Sequence, residues 1–192
     1  MNLILFGPPG AGKGTQAKLI CDQFDLNQIS TGDLLRNEVK MKTDIGKVID
    51  ETISKGDFAT DEIVNELIKN VVFDPIKKNK LIFDGYPRSL NQAKNLDLLL
   101  NSSKQKIDFI FFLNVKKDTI IKRIEKRKIL EKRADDNLNT ILKRYDTYME
   151  TTKPVLDFYK KDSGFNEIDG NQEIGDIFIE IKGILSNISN WH

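Results

Sequence analysis

The chain of 192 residues has the length of one compact domain, and its 30 basic and 29 acidic residues leave a formal net charge of +1. This balance argues against the strongly basic surface that nucleic-acid-binding domains need. The single cysteine, Cys21, excludes a disulfide framework and a zinc site made of several thiolates. No apolar run reaches the ~20 residues that span a bilayer, and the apolar start is too short for a signal peptide. We therefore expect a cytoplasmic protein that binds neither a membrane nor nucleic acid.

In chain order, short apolar runs alternate with stretches of 3.6-residue periodicity. The runs predict buried strands at residues 3–6, 27–29, 81–83, 109–115 and 165–168. Helical patterns follow residues 7–15 and recur at 63–71, 138–148 and 177–188. This alternation predicts an α/β fold, a parallel sheet with helices on both faces.

Residues 31 to about 72 carry more helix than one crossover between strands requires. We expect a stop at Gly56 and a small helical flap in this part of the chain.

A glycine-rich segment, GPPGAGKGT at residues 7–15, joins the first predicted strand to the first predicted helix. This arrangement is typical of a phosphate-binding loop, in which backbone N–H groups and the helix N-terminus surround the anion and Lys13 reaches the outer phosphates. The match is imperfect, because Gly14 stands where a hydroxyl usually helps to hold Mg²⁺ and Thr15 comes one position late. Asp33 and Asp84 are therefore the candidates for holding Mg²⁺ through water, although either could be a simple turn or cap residue.

Four motifs in this order resemble adenylate kinase, a P-loop nucleoside monophosphate kinase family: GPPGAGKGTQ at 7–16, STGDLLR at 30–36, DGYPRSLNQA at 84–93 and RADD at 133–136. The resemblance covers essentially the whole chain. It implies a three-layer P-loop NTPase fold with a five-stranded parallel sheet, and the reaction ATP + AMP ⇌ 2 ADP with Mg²⁺. It further implies a single kinase domain, with a core at 1–29, 60–125 and 137–192, an AMP-binding flap at 30–59 and a short lid at 126–136. That lid is too short for the zinc site of longer relatives, and we expect a monomer.

The resemblance also assigns roles to individual residues. Those implied for ATP are Gly10, Ala11, Gly12, Lys13, Gly14, Thr15, Arg127 and Gln172. Those implied for AMP are Thr31, Arg36, Asp57, Phe58, Ala59, Gly85, Tyr86, Pro87, Arg88, Gln92, Arg133 and Arg144. Lys13, Arg88, Arg127, Arg133 and Arg144 would act in catalysis.

Only six of the 30 basic residues are arginine, and five of them fall on these positions. Planar, permanently charged guanidinium groups grip phosphate oxygens with two hydrogen bonds, which lysine cannot do. The sixth, Arg123, could bind ATP or support the base of the lid. Gln92 has two readings, an adenine contact or the second residue of a helix capping box with Ser89.

Three other functions stay open at this point. The chain could phosphorylate another nucleoside monophosphate, although Thr31 and Gln92 favour AMP over CMP or UMP. It could be a nucleotide-binding switch without turnover, which would have no use for arginines around a second phosphate. It could also be a nucleic-acid-dependent ATPase, against which the mixed charges of residues 122–133 argue. The only histidine, His192, is terminal, which excludes histidine-based acid–base chemistry.

Overall fold

The computed structural model describes residues 1–54, 59–131 and 138–188. Five parallel strands form one sheet in the order β2-β3-β1-β4-β5. They are β1 (Leu3–Phe6), β2 (Asn27–Ser30), β3 (Leu81–Asp84), β4 (Phe109–Asn114) and β5 (Phe165–Asp169). The chain passes from β1 outward to β2, returns to β3 and then crosses to β4. The loop after β1 therefore lies between diverging connections, where α/β proteins bind their ligands.

The side chains of each strand alternate between two apolar layers. Ile4 and Phe6 of β1 pack into one layer, whereas Leu3 and Leu5 pack into the other. Because helices cover both layers, the three central strands β1, β3 and β4 are almost entirely apolar, whereas the edge strands β2 and β5 carry polar residues. The three-layer arrangement predicted from the alternation of runs and helical patterns is confirmed.

Nine α-helices and one π-helix lie within the described residues. They are α1 (Lys13–Phe24), α2 (Thr31–Met41), α3 (Asp44–Ser54), α4 (Asp61–Val72), α5 (Leu90–Ser102), α6 (Lys117–Glu131), α7 (Leu138–Thr147), the π-helix (Tyr148–Thr152), α8 (Lys153–Tyr159) and α9 (Ile174–Ile188). Helices α1, α6 and α9 pack on one apolar layer, and α4, α5 and α8 pack on the other.

All five predicted strands are present, with ends that differ by at most one residue. The prediction that β4 includes Val115 is wrong, because the last pair of the ladder is Asn114 with Asp169 and β5 turns away at Gly170. Val115 stays buried beside that glycine, which explains its apolar character. The helix predicted at 138–148 begins as α7 but changes into a π-helix at Tyr148.

Some predictions fall outside the described residues. These are the helix stop at Gly56, the AMP contacts of Asp57 and Phe58, and the lid residue Arg133. Arg127 lies on α6, but its side chain is not among those described.

Candidate active site

The described residues surround one deep cleft at the carboxyl ends of β1, β2 and β3. Its volume is about 1120 Å³, and its walls include the glycine loop, the start of α2 and the segment after β3. Because parallel strands end at the same edge of the sheet, three loops that are far apart in sequence meet here.

At Gly10, the glycine loop lies so close to the neighbouring helix α6 that a side chain would not fit. At Gly10, where φ is +83°, an added Cβ would lie 2.7 Å from Ile124 Cδ1 of α6. Gly12 ends the loop at φ +96° and precedes the first turn of α1. The N–H groups of that turn point into the cleft, since the first amides of a helix have no partner within it. This is a site for an anion.

Lys13 lies at the start of α1, within the same loop. Its Nζ atom donates to the carbonyl of Gly7 at 2.7 Å and to that of Pro8 at 3.1 Å. The ammonium group therefore sits over the loop, where it adds positive charge to the anion site.

Arg123 of α6 joins the glycine loop to the loop after β5. It donates to the carbonyl of Ala11 at 3.1 Å and to that of Gln172 at 3.1 Å. Both residues are on the ATP side of the sequence prediction, and the guanidinium group bridges them. Arg123 therefore lies at the cleft wall, and its binding of ATP stays a prediction.

The opposite wall of the cleft is organised around the carbonyl of Gly85. It accepts from Thr31 Oγ1 at 2.9 Å and from Arg88 Nε at 2.7 Å. Gly85 has φ +76°, and an added Cβ would lie 2.8 Å from Arg88 Nη2. The positive φ favours glycine here more than the contact does, because the end of the long Arg88 side chain could move away from a Cβ, whereas an L side chain is strained at this φ.

The guanidinium group of Arg88 is held among other charges. Burial lowers the pKa of Arg88 to about 10; Asp84 opposes this effect, whereas Arg144 and Arg36 add to it. A group with this pKa is still positively charged at neutral pH. Three cations therefore face the same part of the cleft, which suits a ligand with a high negative charge.

Gln92 is 4% exposed and is the third residue of α5. Ser89 caps the helix, since its Oγ accepts from Gln92 N at 3.1 Å. Gln92 Oε1 does not complete the predicted capping box with the Ser89 amide, because it accepts instead from Arg88 N at 2.7 Å. The side chain also lines the cleft, so its structural bonds do not remove it from the site.

Two carboxylates were expected to hold Mg²⁺ through water. Asp84 is buried at the end of β3, and its Oδ2 atom accepts from Gln28 Nε2 at 2.9 Å. The same oxygen lies 3.7 Å from the place of a Cβ on Gly14, beside the phosphate loop. Asp33 differs, because it is exposed and bonded to Arg36 at 2.5 Å. Asp84 therefore fits a water-mediated ion better than Asp33 does.

Most of the predicted site residues line this cleft. They are Gly10, Ala11, Gly12, Lys13, Gly14, Thr15, Thr31, Asp33, Arg36, Ala59, Asp84, Gly85, Pro87, Arg88, Gln92, Arg123, Arg144 and Gln172. Tyr86 differs, since its ring is 1% exposed in the apolar layer below. A contact from Tyr86 would have to come from its backbone.

Sequence reasoning missed two polar residues at the cleft. Gln28 holds Asp84, and Thr152 Oγ1 donates to the carbonyl of Arg88 at 3.2 Å. Gln28 lies two residues before the STGDLLR motif in a predicted strand, which was the available signal. Thr152 had none, because its position depends on the π-helix.

Within residues 1–54, 59–131 and 138–188, no three His, Cys, Asp or Glu side chains form a group that could hold a metal ion. In the same part of the chain, no helix is both long enough and apolar enough to cross a membrane.

Comparison with known proteins gives a consistent family match. Residues 5–164 match the family model described as adenylate kinase. The adenylate kinase of Pelagibacter ubique is 48% identical in an alignment 211 positions long, gaps included, which covers 96% of this chain and 99% of that protein. The adenylate kinases of Parabacteroides distasonis and Archaeoglobus fulgidus are 38% and 35% identical, and the alignments cover 98% and 99% of this chain. Each relative is matched over at least 99% of its own length.

Proposed function

The chain belongs to the adenylate kinase family and catalyses phosphoryl transfer from ATP to AMP, and on that premise we propose which residues of the cleft carry each part of the reaction. The proposal rests on two groups of positive charge on opposite sides of the cleft. Lys13 lies on the glycine loop, and Arg88 lies with Arg36 and Arg144 on the other side. ATP binds on the glycine loop with Arg123 and Gln172 beside its base, and AMP binds between α2 and the segment after β3.

On the ATP side, the N–H groups at the start of α1 receive the phosphates. Lys13 exchanges the carbonyls of Gly7 and Pro8 for phosphate oxygens, since a phosphate offers a stronger partner to an ammonium group than a carbonyl does. Arg123 already rests on Ala11 and Gln172, so it is positioned beside the nucleotide before binding.

On the AMP side, Arg36 and Arg88 hold the phosphate. Thr31 and the Gly85–Arg88 segment shape the pocket, and Gln92 contacts the adenine. The backbone of Asp57, Phe58 and Ala59 completes the pocket around the base.

The transfer step needs no general base. An oxygen of the AMP phosphate, already ionised at neutral pH, forms a bond to the γ-phosphorus of ATP. The bond from that phosphorus to the bridging oxygen breaks, and ADP leaves with the electron pair. Arg88 and Arg144, with Arg127 and Arg133 from the lid, stabilise the charge on the transferring group, which is where such catalysis arises.

Adenylate kinases use Mg·ATP, and we infer that Asp84 holds the ion's water ligands, with Asp33 as the second candidate. When bound, Mg²⁺ neutralises charge on the phosphates. Gln28 fixes the orientation of the Asp84 carboxylate toward the loop.

The flap at 30–59 and the lid at 126–136 are the segments that close over the nucleotides. A Cβ on Gly46 of α3 would lie 2.1 Å from the Glu38 carbonyl of α2, so these two helices are in close contact and should move together. Closure excludes water and prevents hydrolysis of ATP. We further propose a cytoplasmic monomer.

The test is the substitution Arg88→Ala. It should leave ATP affinity within about twofold and lower AMP-dependent turnover by ~10³ or more, since arginine contacts made in the transition state have effects of this size. Lys94→Ala, an exposed change on α5, is the matched control and should leave both quantities unchanged. Normal ATP binding with turnover within about tenfold of the unsubstituted chain would contradict the proposed role of Arg88.

A further inference from the structure

Asp61, the first residue of α4, bridges two side chains of a different element. Its Oδ1 atom accepts from Gln92 Nε2 at 2.7 Å, and its Oδ2 atom accepts from Ser89 Oγ at 2.8 Å. Of these three residues, Gln92 lines the cleft, whereas Asp61 is not among the described residues that do. The carboxylate therefore acts on the cleft through Gln92.

The two partners of the Gln92 amide fix which way round it lies. A carboxylate can only accept, so it must face the Nε2 end, and the backbone N–H of Arg88 can only donate, so it must face Oε1. Reversing the amide would set donor against donor and acceptor against acceptor. One orientation is thus selected by two independent contacts.

In this orientation the amide keeps one N–H and one oxygen lone pair beyond these two bonds. Together they match a base with an amino donor next to a ring-nitrogen acceptor. Adenine has this pattern and so does cytosine. Hypoxanthine, guanine and uracil present the reverse pattern on the same edge, an oxygen acceptor next to a ring N–H.

We propose that Asp61 is a positioning residue that sets the orientation of the Gln92 amide, and that this orientation restricts the acceptor to bases that, like adenine and cytosine, carry an amino group where hypoxanthine, guanine and uracil carry a carbonyl oxygen. The inference rests on the proposed contact between Gln92 and adenine. Size alone would then separate adenine from cytosine, while Asp61 separates adenine from hypoxanthine, which differs from it at a single substituent.

The experiment compares Asp61→Ala with the conservative change Asp61→Asn. KM and kcat for AMP are measured, together with the competitive inhibition constants of IMP and CMP against AMP. In Asp61→Ala the amide loses the partner of its Nε2 atom, so the preference for AMP over IMP should fall about tenfold. The preference for AMP over CMP should stay within about threefold, because both bases have the same donor and acceptor pattern.

Asp61→Asn retains an oxygen that can accept from Gln92, and it should keep the AMP preference over IMP. Glu62→Ala is the matched control, since it also removes a carboxylate from the first turn of α4 but makes no bond to Gln92. It separates a general effect on the helix from an effect on the amide. NMR of the Gln92 side chain adds a direct readout, because its NH₂ resonances should shift in Asp61→Ala and not in Glu62→Ala.

Gln92→Ala distinguishes failure of this inference from failure of the proposed base contact. If Gln92→Ala lowers the preference for AMP over IMP and Asp61→Ala does not, the positioning role is overturned and the contact stands. If neither substitution changes that preference, both are overturned. Equal losses toward AMP, IMP and CMP in Asp61→Ala would indicate a merely structural residue, and they would also contradict the inference.

Discussion

At the scale of residues, the arginines were predictable and the residues that hold them were not. Arg36, Arg88 and Arg144 could be assigned through the resemblance to adenylate kinase, with which the sparing use of arginine in a lysine-rich chain agrees, and all three line the cleft. The bond from Thr152 to Arg88 joins residues 64 positions apart, and the bond from Gln92 to Asp61 joins residues 31 apart. No local pattern marks such pairs, since only the packing of the helices brings them together.

Buried tyrosines make the fold sensitive to alkali. Tyr159 is 4% exposed, and its hydroxyl has no hydrogen-bond partner among the described residues. Burial raises the pKa of Tyr159, and the charges of Asp97 and Asp162 and the neighbouring Tyr86 add to this effect. The folded chain therefore keeps the phenol neutral at a pH where the unfolded chain ionises it.

We predict that Tyr159→Phe raises stability at alkaline pH. Below the unfolded-state pKa of about 10, ionisation of Tyr159 does not affect the free energy of unfolding. Above that pH only the unfolded chain ionises, so the free energy of unfolding falls by up to about 1.4 kcal/mol per pH unit. At neutral pH the free energy of unfolding should change by less than about 1 kcal/mol, because the lost hydroxyl had no partner. Urea unfolding at pH 7 and pH 11 measures both values. A fall in stability parallel to that of the unsubstituted chain above pH 10 would refute the prediction.

At the scale of elements, the central strands were predictable because helices cover both faces of the parallel sheet and make these strands apolar, whereas the edge strand β2, NQIS, gave a weaker signal. The run at 81–83 is 0% exposed at every position, so composition alone marked it. The π-helix was not predictable. Its residues, YMETT, continue the helical pattern of α7, and the wider turn depends on how α7 and α8 pack.

The π-helix brings Thr152 to the carbonyl of Arg88, and we predict that Thr152→Val lowers turnover. Valine keeps the volume and removes the hydrogen bond, so Arg88 should lose part of its fixed position and kcat should fall about tenfold. Thr147→Val is the matched control, because the Thr147 hydroxyl donates within the helix to the carbonyl of Lys143 at 2.9 Å and not to Arg88. Steady-state kinetics with AMP as the varied substrate gives kcat for both. Equal values of kcat for the two variants would show that the bond to Arg88 does not matter.

At the scale of the whole molecule, the order of strands places the glycine loop, Thr31 and Gly85 at one edge of the sheet. The fold class and the reaction could be predicted from the resemblance of four motifs to the adenylate kinase family, and three of these motifs, at 7–16, 30–36 and 84–93, follow strands that end at this edge. Helical periodicity predicted more helix between residues 31 and 72 than one crossover needs, and α2, α3 and α4 confirm this within the described residues, while the flap at 30–59 stays a prediction.

The central claim is that one cleft binds ATP on the glycine loop and selects AMP on the opposite side. The most direct measurement is ADP formation from Mg·ATP with AMP, CMP, UMP or GMP as acceptor, beside a sample without acceptor. We predict rapid turnover with AMP, turnover at least about 10²-fold lower with the other acceptors, and negligible ADP without one. Equal turnover with UMP or GMP, or ADP formation that does not depend on an acceptor, would contradict the claim.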